Sequence, residues 1–482
     1  MNASLLQGAS TPTPHADLLR LFEAQRAAFV RDPNPDAALR RDRLARLLAL
    51  AREHEQDFVA AIDRDFGHRS SHETRLAELY IVTAAARYAL ANVRRWMRPR
   101  RVATPIQLLP GSARIVAQPL GVAGIVSPWN YPVQLALAPA IGALAAGNRV
   151  MLKPSEVTPA TSVLLAEAIA RRFAPDEFAV VTGGADTGAE FTRLPFDHLF
   201  FTGSTAVGRI VAKAAAENLT PVTLELGGKS PAIVDASADL AVVAPRIAVG
   251  KLLNAGQTCI APDYALVPER MVEAFVAAVT RAVRALYPDP LSGDDYTSIV
   301  NERHYDRLVA LVEDARAKGA KVVTIPDGAA PDPATRRIPP TLLVGANDAM
   351  QVMREEIFGP ILPIESYAGI DDAIAAVTRR PRPLAFYVFG EDRVVRDRIL
   401  HETIAGGVTV NDTLWHFAHE ELPFGGVGAS GIGAYHGEAG FRTFSHMKSV
   451  FAQPRRTAAK LLYPPYGATF EKVLGLLKRL SG

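Results

Sequence analysis

The chain has 482 residues, with 53 Lys+Arg against 50 Asp+Glu for a net charge of +3, and 49% of its residues are hydrophobic. That length suits about three domains or two large ones. Balanced charge and ordinary composition exclude a disordered chain, a fibrous repeat and a polycation. One cysteine, Cys259, permits no internal disulfide and no cysteine-based zinc cluster, so it matters, if at all, as a thiol.

The first sixteen residues carry no Lys or Arg, and no apolar segment with a small-residue cleavage site follows. No secretory signal is therefore expected, and the cytoplasm is the expected compartment. Residues 16–100 read as helices, with Leu39, Leu44, Leu47, Leu48, Phe58 and Ile62 at helical spacing among Arg, Asp and Glu. Arg94, Arg95, Arg98, Arg100 and Arg101 surround Trp96, but acidic residues are interspersed on both sides. A solvated chain reversal is expected there, not a nucleic-acid face. From Ile115 to Asn148 there is no charged residue, yet Pro119, Pro128, Pro132 and Pro139 divide the stretch too finely for a bilayer span.

Short apolar runs then alternate with helix-length spacers: Gly121–Ser127, Arg149–Leu152, Phe178–Thr182, His198–Thr202 and Val222–Leu226, with spacers such as Pro159–Phe173 and Ala206–Asn218. Strand alternating with helix predicts parallel βαβ units in a doubly wound α/β sheet. A second α/β pattern runs from near Ser230 to about Val410, with helices expected around 238–253 and 269–286. Beyond it lie the glycine-rich Leu422–Gly433 and a tail, 451–482.

Two phosphate-binding patterns fail on context. Gly426–Gly431 spells G-x-G-x-x-G, but no apolar strand precedes it, so a hinge loop is expected. Gly228-Lys229-Ser230 ends like a P-loop, but Thr223 stands where glycine is required. The run Phe201–Gly208 is better placed, as a strand, a turn at Gly203 and a helix opening at Ser204, where free N–H groups suit a pyrophosphate. An ordinary capped βα turn reads the same way. Lys153 and Glu156 follow a strand end, where a carboxylate suits a ribose diol and repels a 2′-phosphate; a solvated charge pair is the alternative. His416 and His419 lack accompanying metal ligands at catalytic spacing.

Cys259 follows the small polar turn Asn254–Thr258. A free cysteine is most often a small buried hydrophobe. Asn130, an amide between two prolines, and Glu225, a carboxylate at a strand end, change that balance. A thiol, an amide to hold an oxyanion and a carboxylate base are the parts of acyl-enzyme chemistry.

Taken together, PWNYP at 128–132, LKPSE at 152–156, FTGSTAVG at 201–208, LELGGKSP at 224–231, GQTC at 256–259, EEIFGP at 355–360 and LPFGGVG at 422–428 resemble the aldehyde dehydrogenase superfamily. The segments 64–78, 215–234, 254–264 and 424–437 resemble its class 3 branch and, within it, bacterial coniferyl aldehyde dehydrogenases. The resemblance implies a Rossmann-type cofactor domain (1–111 and 122–223), an α/β catalytic domain (224–410) and a bridging or oligomerisation element (112–121 and 411–450). It also implies roles. Cys259 forms a thiohemiacetal whose oxyanion is held by the Asn130 amide and the Cys259 N–H, and Glu225 activates the water that hydrolyses the ensuing thioester. Glu356 is carried over as ligand of the nicotinamide ribose, Phe358 as packing beside that ring, and Lys153 and Glu156 as adenosine-ribose contacts, with Gly203, Ser204 and Gly208 in the cofactor turn. The implied cofactor is NAD, with NADP as alternative, and no metal.

Trp415, His416 and Phe417 precede the LPFGG loop, where relatives line the substrate entrance, and suit a planar aromatic aldehyde by stacking; packing into the core is the alternative for at least one of them. Medium- or long-chain aliphatic aldehydes, a coenzyme-A-acylating reaction and a catalytically retired binding protein are the competing readings. A homodimer formed through the bridging element is expected. The tail carries an apolar stripe, Val473, Leu474, Leu476, Leu477 and Leu480, expected to pack on protein and too short to span a bilayer.

Overall fold

The structure, a computed structural model, describes residues 12–481. Six strands form one sheet in the order Gly431–Ile432, Val222–Glu225, His198–Thr202, Val122–Val126, Arg149–Lys153, Phe178–Val180. All neighbours are parallel except Gly431–Ile432. The chain starts at the Val122 strand, moves outward through Arg149 and Phe178, then crosses to His198 and Val222 on the other side. That reversal opens a crevice at the carboxyl ends of the Val122 and His198 strands. Helices cover both faces, so the strands are apolar runs, not alternating ones. The uncharged stretch supplies the central strand and the helix Gln134–Ala146, buried at every position but Gly142.

A second sheet runs Lys321–Thr324, Thr341–Val344, Ile361–Tyr367, Tyr264–Pro268, Pro231–Val234, Ala385–Phe389, Gly407–Val410, parallel except for its first pair. The helices expected around 238–253 and 269–286 form as Leu240–Leu252 and Val272–Leu286. A third, antiparallel sheet joins Arg100–Val102, Ser112–Pro119 and Ser445–Ala452. Of 411–450, only the end from Ser445 enters this small sheet. Residues before it return to the large units, and Gly431–Ile432 pairs with Val222–Glu225. Gly431 makes that return feasible, since at φ +155° a Cβ there would lie 2.3 Å from the Leu224 carbonyl oxygen. The glycine-rich run is thus a sheet edge, not a hinge.

The N-terminal helices are His15–Arg31, Ala37–Glu53, Glu55–Phe66 and Ile81–Trp96. Asp36 caps the second by accepting the Leu39 N–H at 2.9 Å, and left-handed Gly67 closes the third. Two features depart from the expected run of helices. Arg100–Val102 pairs as a strand with Ala113–Ile115, and Arg75–Tyr80 is a π-helical turn. The tail forms a helix, Ala468–Ser481, with Val473, Leu474 and Leu477 half-buried and Leu476 exposed; the Leu480 side chain and residues 1–11 lie outside the described residues. No helix among the described residues is long and apolar enough to cross a membrane.

One buried ion pair ties the N-terminal helices to the crevice. Arg69 Nη1 lies 3.1 Å from Glu78 Oε1, with both side chains fully buried. Glu78 Oε2 accepts the N–H groups of Val133 (2.7 Å) and Gln134 (3.0 Å), at the start of the helix Gln134–Ala146. Arg69 Nη1 also donates to the Asn130 carbonyl at 2.9 Å, and its guanidinium lies over the Phe66 and Tyr131 rings. Glu78→Ala removes the counter-charge and strands a buried guanidinium. The expected outcome is a loss of about 3–5 kcal/mol of stability in a urea titration, and a loss below about 1 kcal/mol would show that water or a neighbour replaces the carboxylate.

Candidate active site

Two cavities meet at Cys259. The first, of about 200 Å³, opens at the carboxyl ends of the six-stranded sheet and is lined among others by Asn130, Thr202, Gly203, Glu225, Glu356 and Phe358. The second, of about 250 Å³, runs under the π-helical turn and is lined among others by Leu76, Tyr80, Tyr131, Leu414, Trp415 and Phe417. Cys259 and Leu135 line both. A thiol at such a junction can touch one molecule from each side.

The loop carrying Cys259 is wound the wrong way for L-residues. Asn254, Ala255 and Gly256 have φ of +55°, +50° and +75°. At Gly256 the geometry demands glycine, because a Cβ would lie 2.3 Å from the Gly359 carbonyl oxygen. Buried amides staple the loop. Gln257 Nε2 donates to the Asn254 and Ser298 carbonyls at 3.0 and 3.1 Å, and its Oε1 accepts the Val300 N–H at 3.0 Å. Asn254 Nδ2 donates to the carbonyls of Asn130 (3.0 Å) and Gln257 (3.1 Å). Asn130 Nδ2 donates to the Gln257 carbonyl at 3.1 Å, which fixes the amide and leaves its second hydrogen uncommitted. Tyr131 Oη and Thr258 Oγ1, 2.6 Å apart, add a further tie.

Burial raises the pKa of the thiol and of the carboxyls beside it. Burial, then the Glu356 and Glu225 carboxylates, push the Cys259 thiol well above its usual range, while the N–H groups of Cys259 and Ile260 oppose the shift. Glu225 ends the strand Val222–Glu225, and neither of its carboxylate oxygens has a hydrogen-bond partner. Burial alone drives its pKa well above the ordinary value. Glu356 rises to about 8 through burial and the neighbouring Asp263.

The Glu356–Phe358 loop is fixed from below. Lys229 pairs with Asp263 and donates to the Val352 and Glu355 carbonyls at 2.8 and 3.1 Å, while Asp263 Oδ1 accepts the Ile357 N–H at 2.9 Å. The lysine of the failed P-loop pattern is therefore a structural tie. Glu356 lies over Gly227, where a Cβ would be 2.0 Å from Oε2. Phe358, itself at φ +53°, packs edge-on against Trp129 with centroids 5.4 Å apart.

Not every expected residue reaches a cavity. Gly203 and Ser204 line the first, and Ser204 caps the helix Thr205–Ala216 through the Val207 N–H at 3.4 Å. Gly208 lies beneath Leu226, where it permits close helix–sheet packing. Lys153 and Glu156 pair at 2.9 Å at the neighbouring strand end, the lysine buried and the carboxylate half in solvent, outside both cavity linings. Trp415 and Phe417 line the second cavity, whereas His416 points inward, with Nδ1 2.7 Å from Thr409 Oγ1 and its ring stacked on Phe424. Alternation along the short helix Trp415–Ala418 sends the middle residue into the core. The sequence reading missed Leu76, Tyr80, Tyr131 and Asp412 in the second cavity and His304 and Arg307 in the first. It also missed Arg69, Glu73 and Glu78, which carry no local signal that separates them from solvated charges.

Residues 11–450 match the aldehyde dehydrogenase family, and the chain belongs to that family. It is 53% identical over 454 residues, 94% of each chain, to a probable coniferyl aldehyde dehydrogenase of Pseudomonas aeruginosa. In three dimensions it is similar to the substrate-bound state of Staphylococcus aureus AldH, at a TM-score of 0.91 and 39% identity, covering 95% of this chain and 99% of that one. It is also similar, at a TM-score of 0.84 and 26% identity over 93% and 91% of the two chains, to the P. syringae indole-3-acetaldehyde dehydrogenase AldA in complex with NAD+ and IAA.

With the thiol held protonated, alkylation of Cys259 by iodoacetamide is expected to accelerate nearly tenfold per pH unit from 7 to 9, as the thiolate fraction grows. Mass spectrometry follows one cysteine without ambiguity. A rate that is flat across this range would show a thiolate already formed.

Proposed function

We propose that the chain oxidises an aromatic aldehyde of the coniferaldehyde type to its carboxylic acid with NAD, through a thioester on Cys259. The observation that carries the chemistry is the position of Cys259 in both cavities at once. The aldehyde enters by the apolar second cavity, the Cys259 thiol loses its proton to water, and the thiolate Sγ bonds to the carbonyl carbon as the C=O π pair moves onto oxygen. The resulting oxyanion accepts hydrogen bonds from the free Asn130 amide hydrogen and the Cys259 N–H.

The first cavity suits the cofactor. Thr202 offers a buried hydroxyl without a partner, the Ser204 turn opens a helix N-terminus, and Glu356 can accept from a ribose hydroxyl. Bound there, NAD supplies a two-electron acceptor for the hydride that leaves the thiohemiacetal carbon. Glu156 beside Lys153 favours a ribose diol over a 2′-phosphate, so NAD is preferred to NADP. Glu225, without any competing donor, takes a proton from the water that attacks the thioester, and the acid leaves as the thiolate is restored. A base in that place disfavours the coenzyme-A-acylating alternative, whose resolving nucleophile is a thiol.

The aromatic preference is supported by the rings of Tyr80, Trp415 and Phe417 in the second cavity and by the likeness to the P. aeruginosa protein. A homodimer is supported by the strand Ser445–Ala452, an open sheet edge on which Met447 and Phe451 are exposed.

Cys259→Ala is expected to abolish turnover. Glu225→Gln is expected to release one equivalent of NADH in a burst and then stall, because hydride transfer precedes water activation. In the wild type the steady-state rate after the burst should rise with pH, as the raised Glu225 carboxyl ionises. Absence of the burst in a folded Glu225→Gln protein would place Glu225 in thiol activation instead.

Substrate class is tested by kcat/KM for coniferaldehyde, benzaldehyde, octanal and hexadecanal with NAD and with NADP. Trp415→Ala should lower the coniferaldehyde value by roughly tenfold, the equivalent of about 1.4 kcal/mol, and spare octanal. Equal losses on both would reduce Trp415 to packing.

A further inference from the structure

We propose that Glu73, outside both cavities, is a positioning residue: its carboxylate holds the left-handed turn that aims Cys259 at the cavity junction. This rests on the reading of Cys259 as nucleophile. Three consecutive left-handed residues, Asn254, Ala255 and Gly256, reverse the chain between the helix Leu240–Leu252 and the thiol. For Asn254 and Ala255 that conformation is strained, and it persists only where surrounding contacts determine it.

Glu73 provides such a contact. Its Oε2 accepts the Asn254 N–H at 3.0 Å and the Thr297 hydroxyl at 2.9 Å, all three residues being buried. Without the carboxylate, that N–H is a buried donor lacking an acceptor, and the turn loses its reason to stay left-handed. The consequence reaches both parts of the reaction centre, because the Asn254 side chain ties the Asn130 carbonyl to the Gln257 carbonyl. Release of the turn therefore displaces the thiol and the oxyanion donor together. Glu73 sits on a short helical turn, Ser71–Thr74, far from the cofactor crevice in sequence and absent from its lining. Of the crevice lining, Asn130 and Cys259 are tied to this turn, whereas Thr202, Gly203, Ser204, Glu356 and Phe358 are not, so cofactor affinity is expected to change far less than the reactivity of the thiol.

The test compares Glu73→Ala, Glu73→Gln and Glu73→Ala/Ala255→Gly with the wild type. The readouts are the iodoacetamide alkylation rate of Cys259, the NADH burst rate, the NAD affinity by calorimetry and the melting temperature. Glu73→Ala should slow alkylation and burst at least tenfold while NAD affinity stays within threefold. Glu73→Gln should remain within threefold of wild type, since its carbonyl oxygen, in the place of Oε2, accepts both the Asn254 N–H and the Thr297 hydroxyl. Adding Ala255→Gly to Glu73→Ala should restore the burst at least fivefold, because glycine adopts the left-handed turn without a clamp.

A folded Glu73→Ala protein with wild-type burst and alkylation rates overturns the proposal, as does a defect that neither Gln nor the added glycine repairs. If Glu73→Ala does not fold, Thr297→Val decides: a burst slowed threefold or more at unchanged melting temperature supports the clamp, and an unchanged burst overturns it. Turnover retained by Cys259→Ala would instead defeat the nucleophile reading, and the alkylation rate would still report whether Glu73 sets the thiol's position.

Discussion

The Arg69 guanidinium is the charge on which the site's geometry depends. Buried between the Phe66 and Tyr131 rings, it grips the Asn130 carbonyl and is balanced by Glu78, which in turn receives the first N–H groups of the helix Gln134–Ala146. A buried ion pair gives little net stability against an apolar replacement. Its contribution here is direction: each partner has further hydrogen bonds that only one arrangement satisfies. The N-terminal helices thereby register the Asn130 loop of one large unit against the Cys259 loop of the other. Asn254 completes the registration by bridging the Asn130 and Gln257 carbonyls.

Three buried carboxyls near the thiol show how donor number sorts similar groups into different roles. Burial pushes Glu73 to about 7 against the Arg69 charge and two donors; burial and the neighbouring Asp263 raise Glu356 to about 8 against the Gly228 N–H; and burial alone raises Glu225, which has no donor, well above its ordinary value. Opposite charge and hydrogen bonds to the charged form offset desolvation, so the satisfied carboxyl anchors structure and the unsatisfied one keeps a raised proton affinity. A base is useful when its proton affinity approaches that of the group it serves. The oxygens of Glu225 have no hydrogen-bond partner among the described residues, which leaves them open to a water.

How much of this was legible in the sequence depended on whether the signal was local. The parallel sheets followed from apolar runs at regular spacing, and Cys259, Asn130 and Glu225 stood in short segments whose chemistry reads without tertiary context. The strand Arg100–Val102 did not, because a three-residue edge strand is determined by its partner and not by its own periodicity. His416 was expected beside Trp415 and Phe417, yet neighbours on one helical turn face different ways, and Thr409 drew it into the core. Arg69, Glu73 and Glu78 escaped notice because charged residues in a helical segment ordinarily mark a solvated face. Nothing in one sequence distinguishes a solvated arginine from one that holds a carbonyl 61 positions away.

Burial disfavours the charged form of the Cys259 thiol and of the carboxyls beside it. Burial and the Glu356 and Glu225 carboxylates each oppose ionisation of Cys259. A cation placed in the first cavity would offset them, since it favours the thiolate directly. Lys229 does not serve, because its ammonium is committed to Asp263 and two carbonyls beneath the loop. Arg307, which lines the cavity, donates to the Glu356 and Ile357 carbonyls, so its charge is fixed at one wall. The cations at the first cavity are thus committed elsewhere, and a ligand bearing positive charge there would favour the Cys259 thiolate.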